Sequence, residues 1–216
     1  MTRTLPLSAA AAAALGAAAA AVAATPQPTI SPAQPALVFG EGTTISGTLA
    51  GGAAQAGKPV SLQQRPAGAK AYKTVFTGAA DATGSFAFPV TPATTVRYRV
   101  QAATKPVQTS RSVLVVVRSK VAFRISDRTP RKNQRIRFSG LVTPALDGVP
   151  VLIQRKNSAG AYMTVARTVL RDAGDTSSQY SRRLRVGRSG TYRVSIPATA
   201  TLSAGASVAR VIRVHR

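Results

Sequence analysis

The sequence predicts an all-β chain of two tandem antiparallel sandwiches, seven strands each, after a signal peptide and a proline-rich linker. Three observations carry this. The stretch Thr95-Val96-Arg97-Tyr98-Arg99-Val100 returns as Gly190-Thr191-Tyr192-Arg193-Val194-Ser195, with Val or Tyr facing inward at every second position. Short alternating runs follow one another with turn residues roughly every ten positions, the spacing of sandwich strands. No stretch beyond Leu37 carries the 3.6-residue apolar period of a helix.

The amino end predicts a secretory signal peptide over residues 1–24. Arg3 supplies the charge, an Ala-dominated run reaches Ala20, and Ala21-Val22-Ala23 has the small-x-small form of a cleavage site. A retained anchor is the alternative, weakened by the low hydrophobicity of Ala and an uncharged flank. Residues 25–36 hold Pro26, Pro28, Pro32 and Pro35 and predict an extended spacer. The later run Val113–Val117 is far too short to span a membrane, so no span is expected in the mature chain.

The first sandwich is expected over 37–118. Its strands are Thr43–Leu49, Val60–Arg65, Ala71–Phe76, Phe86–Phe88, the run around Tyr98, and Ser112–Val117. Asp81-Ala82-Thr83-Gly84 places Asp and Gly at the first and fourth positions of a type I turn. The second sandwich, over 119–216, repeats the order. Ile136–Gly140 answers Ile45-Ser46-Gly47, and Gly148–Arg155 answers Gly57–Gln64. Ala161–Val165 answers Ala71–Val75, while Tyr180 stands where Phe86 does and Tyr192 where Tyr98 does. The copies are joined by Arg118-Ser119-Lys120, which is short enough to restrict rotation between them.

Each half resembles the immunoglobulin-like or fibronectin-III-like domains of secreted bacterial surface proteins. The residues that carry the likeness are Gly-x-Pro-Val-x-Leu/Ile-Gln, Asp81-x-x-Gly84-x-Phe86, and Tyr98 and Tyr192, which resemble the tyrosine-corner residue of the sixth strand. The resemblance implies an immunoglobulin-like sandwich and assigns no ligand. The chain departs from antibody domains in having no Cys and no Trp, and the Asp-x-x-Gly turn is replaced in the second copy by Arg171–Ser177.

Catalysis is not expected. There are six acids, and only Asp172 and Asp175 lie close together, on one loop. A glycosidase needs two opposed carboxylates, and a serine hydrolase would need its base at His215, the only His. No phosphate loop, zinc pair or cofactor motif is present. Two carboxylates are few for calcium, so a plain polar hairpin is the favoured reading of that loop.

Charge is the distinctive property. The chain has 29 Lys and Arg against six acids. Residues 25–118 hold nine basic and two acidic residues, and residues 119–216 hold 19 and four. Alternation puts Arg135 and Arg137 on one face of a strand, with Arg183 and Arg185 on the same face of another. In an immunoglobulin-like topology these are the second and fifth strands, neighbours in one sheet. Arg131 and Lys132, just before the first of them, would extend the patch. Like charges on adjacent strands repel, which makes an anion there a reasonable expectation. A solvated basic face is the plainer alternative.

The expected partner is an anionic cell-envelope polymer or acidic polysaccharide, with a protein partner as the alternative. Sequence-specific nucleic acid is disfavoured, because Phe138 and Tyr192 point inward and leave no stacking surface among the arginines.

Overall fold

The computed structural model describes residues 27–216, so the expected signal peptide lies outside the described residues. Those residues form an all-β structure interrupted by one 3-10 turn, Gly52–Gln55. The first half contains β1 (Ser31–Pro32), β2 (Ala36–Val38), β3 (Thr43–Thr48), β4 (Pro59–Pro66), β5 (Lys73–Ala79), β6 (Ser85–Val90), β7 (Val96–Ala102), β8 (Gln108–Thr109) and β9 (Val113–Arg118). The second contains β10 (Lys120–Val121), β11 (Arg124–Ile125), β12 (Gln134–Thr143), β13 (Pro150–Lys156), β14 (Tyr162–Val169), β15 (Arg171–Asp172), β16 (Ser178–Val186), β17 (Gly190–Ile196), β18 (Gly205–Ala206) and β19 (Arg210–Ile212).

Each half pairs its strands into two sheets in the same way. One sheet runs β1-β3-β6 in the first half and β10-β12-β16-β15 in the second, with β11 also on β12. The other runs β2-β9-β7-β4-β5 and β14-β13-β17-β18, with β19 also on β17. The inward residues of the two sheets meet in a core. In the first half Ile45, Leu62, Phe86, Phe88, Tyr98 and Val100 are buried together. In the second Phe138, Ile153, Tyr180, Tyr192, Val194 and Ile196 are buried together, and Arg182 stands where Phe88 does. Burying a side chain of this size contributes roughly 1.5–3 kcal/mol, so the alternating runs are what hold the layers together.

Irregularities repeat as well. The β4–β5 pairing skips Val75 at Leu62/Gln63, and the β13–β14 pairing skips Val165 at Ile153/Gln154. Asp81 closes its turn as expected, with Gly84 N–H donating to Asp81 O at 3.0 Å. The carboxylate also accepts bonds from the Thr83 hydroxyl and from the Ser85 and Thr83 N–H groups, which hold its pKa below the ordinary 3.8. Tyr192 donates to Arg188 O, four residues upstream, at 3.3 Å, a tyrosine-corner geometry.

The proline-rich spacer is corrected from Thr29 onward. Thr29 N–H donates to Thr48 O and Ala33 N–H to Thr44 O, so this stretch runs along β3 as a sheet strand. Next, β2 crosses to the opposite sheet and pairs in parallel with β9. Proline density suggested a free extended chain, but Pro32 and Pro35 lie at the ends of short edge pairings, where a missing N–H is tolerated. The second half makes the same switch: β10 and β11 lie on β12, and Pro130 and Lys132 then bond to His215. His215, the second-last residue, is tied by its N–H to Pro130 O at 3.0 Å.

The switch explains one repeated glycine. A Cβ at Gly47 would overlap the Thr29 carbonyl, and a Cβ at Gly140 would overlap the Ala122 carbonyl. Each glycine lets the first strand bow in close over the second. In the second half the Tyr180 hydroxyl uses the same gap, donating to Ala122 O at 2.8 Å, and burial pushes its pKa up. Phe86 occupies this place in the first half without a hydroxyl. Tyr98, the first half's counterpart of Tyr192, is pushed up to about 12 by burial.

Only Ser119 separates β9 from β10. The loop after β17 bonds back to the first half, with Thr95 N–H donating to Thr201 O at 2.8 Å and Ser203 N–H to Val117 O at 2.9 Å. Val117 and Leu202 are both buried at this junction.

Candidate functional site: two basic faces

The arginines of β12 and β16 come together. The register sets Arg135 opposite Arg185 and Arg137 opposite Arg183, and all four are exposed. Their inward neighbours Ile136, Phe138, Leu184 and Val186 are buried or nearly so, which fixes the guanidiniums on the outer face. Opposed residues on an antiparallel pair have Cα atoms about 5 Å apart, so the four side chains share one patch. Cross-strand like charges cost a few tenths of a kcal/mol per pair in water, and a bound anion removes that cost.

A fifth arginine belongs to this face, though the sequence reading missed it. Arg124 on β11 lies opposite Ser139, on the same side as Arg137, and is exposed. The strand that carries it is two residues long and is separated from β10 by Ala122-Phe123. A run that short shows no alternation. Arg124, Arg137, Ser139, Gln179, Tyr180 and Ser181 line a shallow concavity of about 360 Å³. Guanidiniums beside hydroxyl and amide groups are suited to carboxylate or phosphate oxygens.

Arg131 and Lys132 lie at one end of this face. Their turn enters β12, where Arg131 N–H donates to the Gln134 side chain and Lys132 N–H to His215 O. This end also carries Arg188, in the turn after β16, and Arg213, whose N–H donates to Arg128 O. The second half's acids mostly occupy the other end. Asp172 lies opposite Ser178, Asp175 is in the following loop, and Asp147 accepts from the Ser178 hydroxyl. Asp127 is the acid at the basic end, where it accepts from Thr129 N–H and the Gln134 side chain. Arg182 faces inward by parity, opposite Phe138, yet is exposed. Because β15 covers β16 only at Ser178 and Gln179, Arg182 lies at a sheet edge and its stem can reach water.

The opposite sheet holds its arginines differently. Arg99 Nε donates to Gln63 Oε1 at 2.7 Å and stacks over the Tyr72 ring at 4.1 Å. Arg193 repeats this with Gln154 at 2.9 Å and Tyr162 at 3.8 Å. The Arg of the repeated strand is therefore engaged within its own sheet, and aromatic rings do lie beneath guanidiniums, on Tyr72 and Tyr162. The expectation that no ring lies among the arginines is corrected by these pairs: it rests on Phe138 and Tyr192, which point inward, and does not take in Tyr72 and Tyr162.

Among the described residues no group of three or more His, Cys, Asp or Glu is placed to hold a metal, and no helix is long and apolar enough to cross a membrane.

No protein family and no curated protein matches the sequence. Two solved structures are similar in outline. One is the transglutaminase of red sea bream, at 12% identity and TM-score 0.44, covering 89% of this chain and 32% of that one. The other is a tetra-tandem repeat from the extending region of a large adhesion protein, at 16% identity and TM-score 0.40, covering 87% and 49%. The chain thus matches under half the length of either protein.

Proposed function

We propose that the chain is a secreted, non-enzymatic cell-envelope binding and spacer protein of two immunoglobulin-like domains, one over residues up to 118 and one over 119–216. It holds an anionic envelope polymer or acidic polysaccharide through the outer face of β11, β12 and β16. The observation that carries this reading is the register itself: Arg135 with Arg185 and Arg137 with Arg183, exposed side by side, with Arg124 alongside. None of the outward neighbours on these strands is acidic, so the positive field is not cancelled within the face. Arg131 and Lys132 at its end lengthen the track that a polymer could follow. The first domain and the leader set distance, and the bonds of Thr95 and Val117 to the second domain limit bending.

The signal sequence read at the amino end supports the extracytoplasmic location, where such polymers are found. A structural or adhesin-like module contacting a protein partner remains the alternative, favoured by the exposed edge strand β14, where Met163, Val165 and Val169 are each about half exposed.

Polymer choice tests the reading. Protein passed over immobilised polyglycerol phosphate, polyuronate and neutral dextran at about 0.1 M salt is expected to be retained on one or both anionic supports and to wash through dextran. Retention on dextran alone, or on none, would remove the polyanion reading.

A further inference from the structure

The first half carries a second basic site on the other sheet. Across β4, β7 and β9 the outward residues of one lateral row are Arg65, Arg97 and Leu114, with Arg65 directly opposite Arg97 and Arg97 directly opposite Leu114, and Tyr72, just before β5, lies beside Arg65. Arg65 is half-buried and lies over the Tyr72 ring at 4.9 Å, on the ring that also carries Arg99. Three guanidiniums and one tyrosine thus crowd a single sheet face. Arg99 is satisfied by Gln63, which leaves Arg65 and Arg97 as the opposed like-charged pair.

These two arginines line a pocket of about 290 Å³. Its other walls are the turn Pro66–Ala69, Thr95 and Leu114, and no acidic residue lines it. The turn is held in place by Ala67 N–H on Thr95 O at 2.9 Å and by Ala69 N–H on Pro66 O at 3.0 Å. Lys70, next along the chain, adds a further positive charge. The second half has no such pair: the matching row is Tyr162, Lys156, Thr191 and Val211. The duplicated fold has therefore placed its opposed arginines on different sheets in its two copies.

We propose that this pocket binds one oxyanionic group, a carboxylate or a phosphate borne on a single sugar-sized residue, between Arg65 and Arg97. The pair provides two planar guanidiniums, each able to give a bidentate, charge-assisted contact. Leu114 and the small residues of the turn form an apolar wall for the body of the ligand. The volume lies at the lower end of ligand pockets, which admits one such residue and excludes a folded chain. Because the site shares no residue with the β12–β16 face, it stands or falls separately from the polymer reading.

The test is an amide-resolved NMR titration of the protein at low ionic strength, with inorganic phosphate in one arm and glucuronate in the other. Saturable shifts are expected at Gly68, Ala69 and Thr95 in at least one arm. Arg97→Gln, at an exposed position, should weaken that binding about tenfold or more. Arg97→Lys should recover only part of it, because the charge returns without the fork. A paired Arg135→Gln, Arg137→Gln variant should leave it unchanged. Saturation by phosphate alone identifies a phosphoryl ligand, by glucuronate alone a uronate, and by both an oxyanion site indifferent to its carrier. Linear shifts in both arms, or saturation that survives Arg97→Gln, would overturn the proposal.

Discussion

Replacing Arg135, Arg137, Arg183 and Arg185 together by Gln is expected to abolish retention on anionic envelope polymer while leaving the fold intact. All four are exposed, and none supplies a core contact, so the strands keep their buried set Ile136, Phe138, Tyr180 and Val186. Two like-charged cross-strand pairs disappear, and stability should hold or rise by roughly half a kcal/mol per pair. Binding should suffer far more. If each guanidinium neutralises one phosphate or carboxylate, the salt slope falls by about 3 to 4, since each contact contributes close to 0.9. Affinity measured at about 0.1 M salt would then drop by two or more orders of magnitude. Circular dichroism and a urea melt on the same sample separate loss of binding from loss of fold. Unchanged retention in a folded variant would refute the assignment of this face.

The second large effect concerns stability. Gly140→Ala is expected to cost about 3 kcal/mol, seen as a lower urea midpoint with little change in slope. The new Cβ would overlap the Ala122 carbonyl and stand 2.8 Å from the Tyr180 hydroxyl oxygen. Backbone cannot swing aside as a flexible side chain would, so the first strand must lift from β12. Doing so breaks the Tyr180 bond to Ala122 and uncovers Phe123, which is buried. Ser139→Ala, one residue away and facing outward, should change stability by no more than about 0.5 kcal/mol. Equal effects from the two substitutions would show that the close approach does not matter to stability.

Much of the sandwich was legible because burial imposes a period of two. Phe138 and Tyr192 had to face inward if Arg137 and Arg193 faced water, and the repeat fixed which strand matched which. The four arginines on β12 and β16 followed from the same parity. What the sequence hid were features without periodicity. β1, β10 and β11 are two residues each, and prolines masked the first of them as spacer. Arg124 was lost with its strand.

Pairing across strands was hidden too. Nothing in the local sequence links Gln63, Tyr72 and Arg99, which meet only through the β4–β5 and β4–β7 registers. The Arg65–Arg97 pocket depends on the same registers and on a turn closed by Thr95. Gly140 was visible as a repeated glycine, but the reason for it lies in a strand that alternation could not reveal.

The most direct measurement is retention of the protein on isolated cell envelopes across a salt series. The account predicts release between roughly 0.1 and 0.5 M salt, with a steep linear fall of log affinity against log salt concentration. Retention that ignores salt would contradict it and point to a protein partner held by the edge of a sheet. Absence of retention at the lowest salt would contradict it as well, leaving the arginine face as solvated surface.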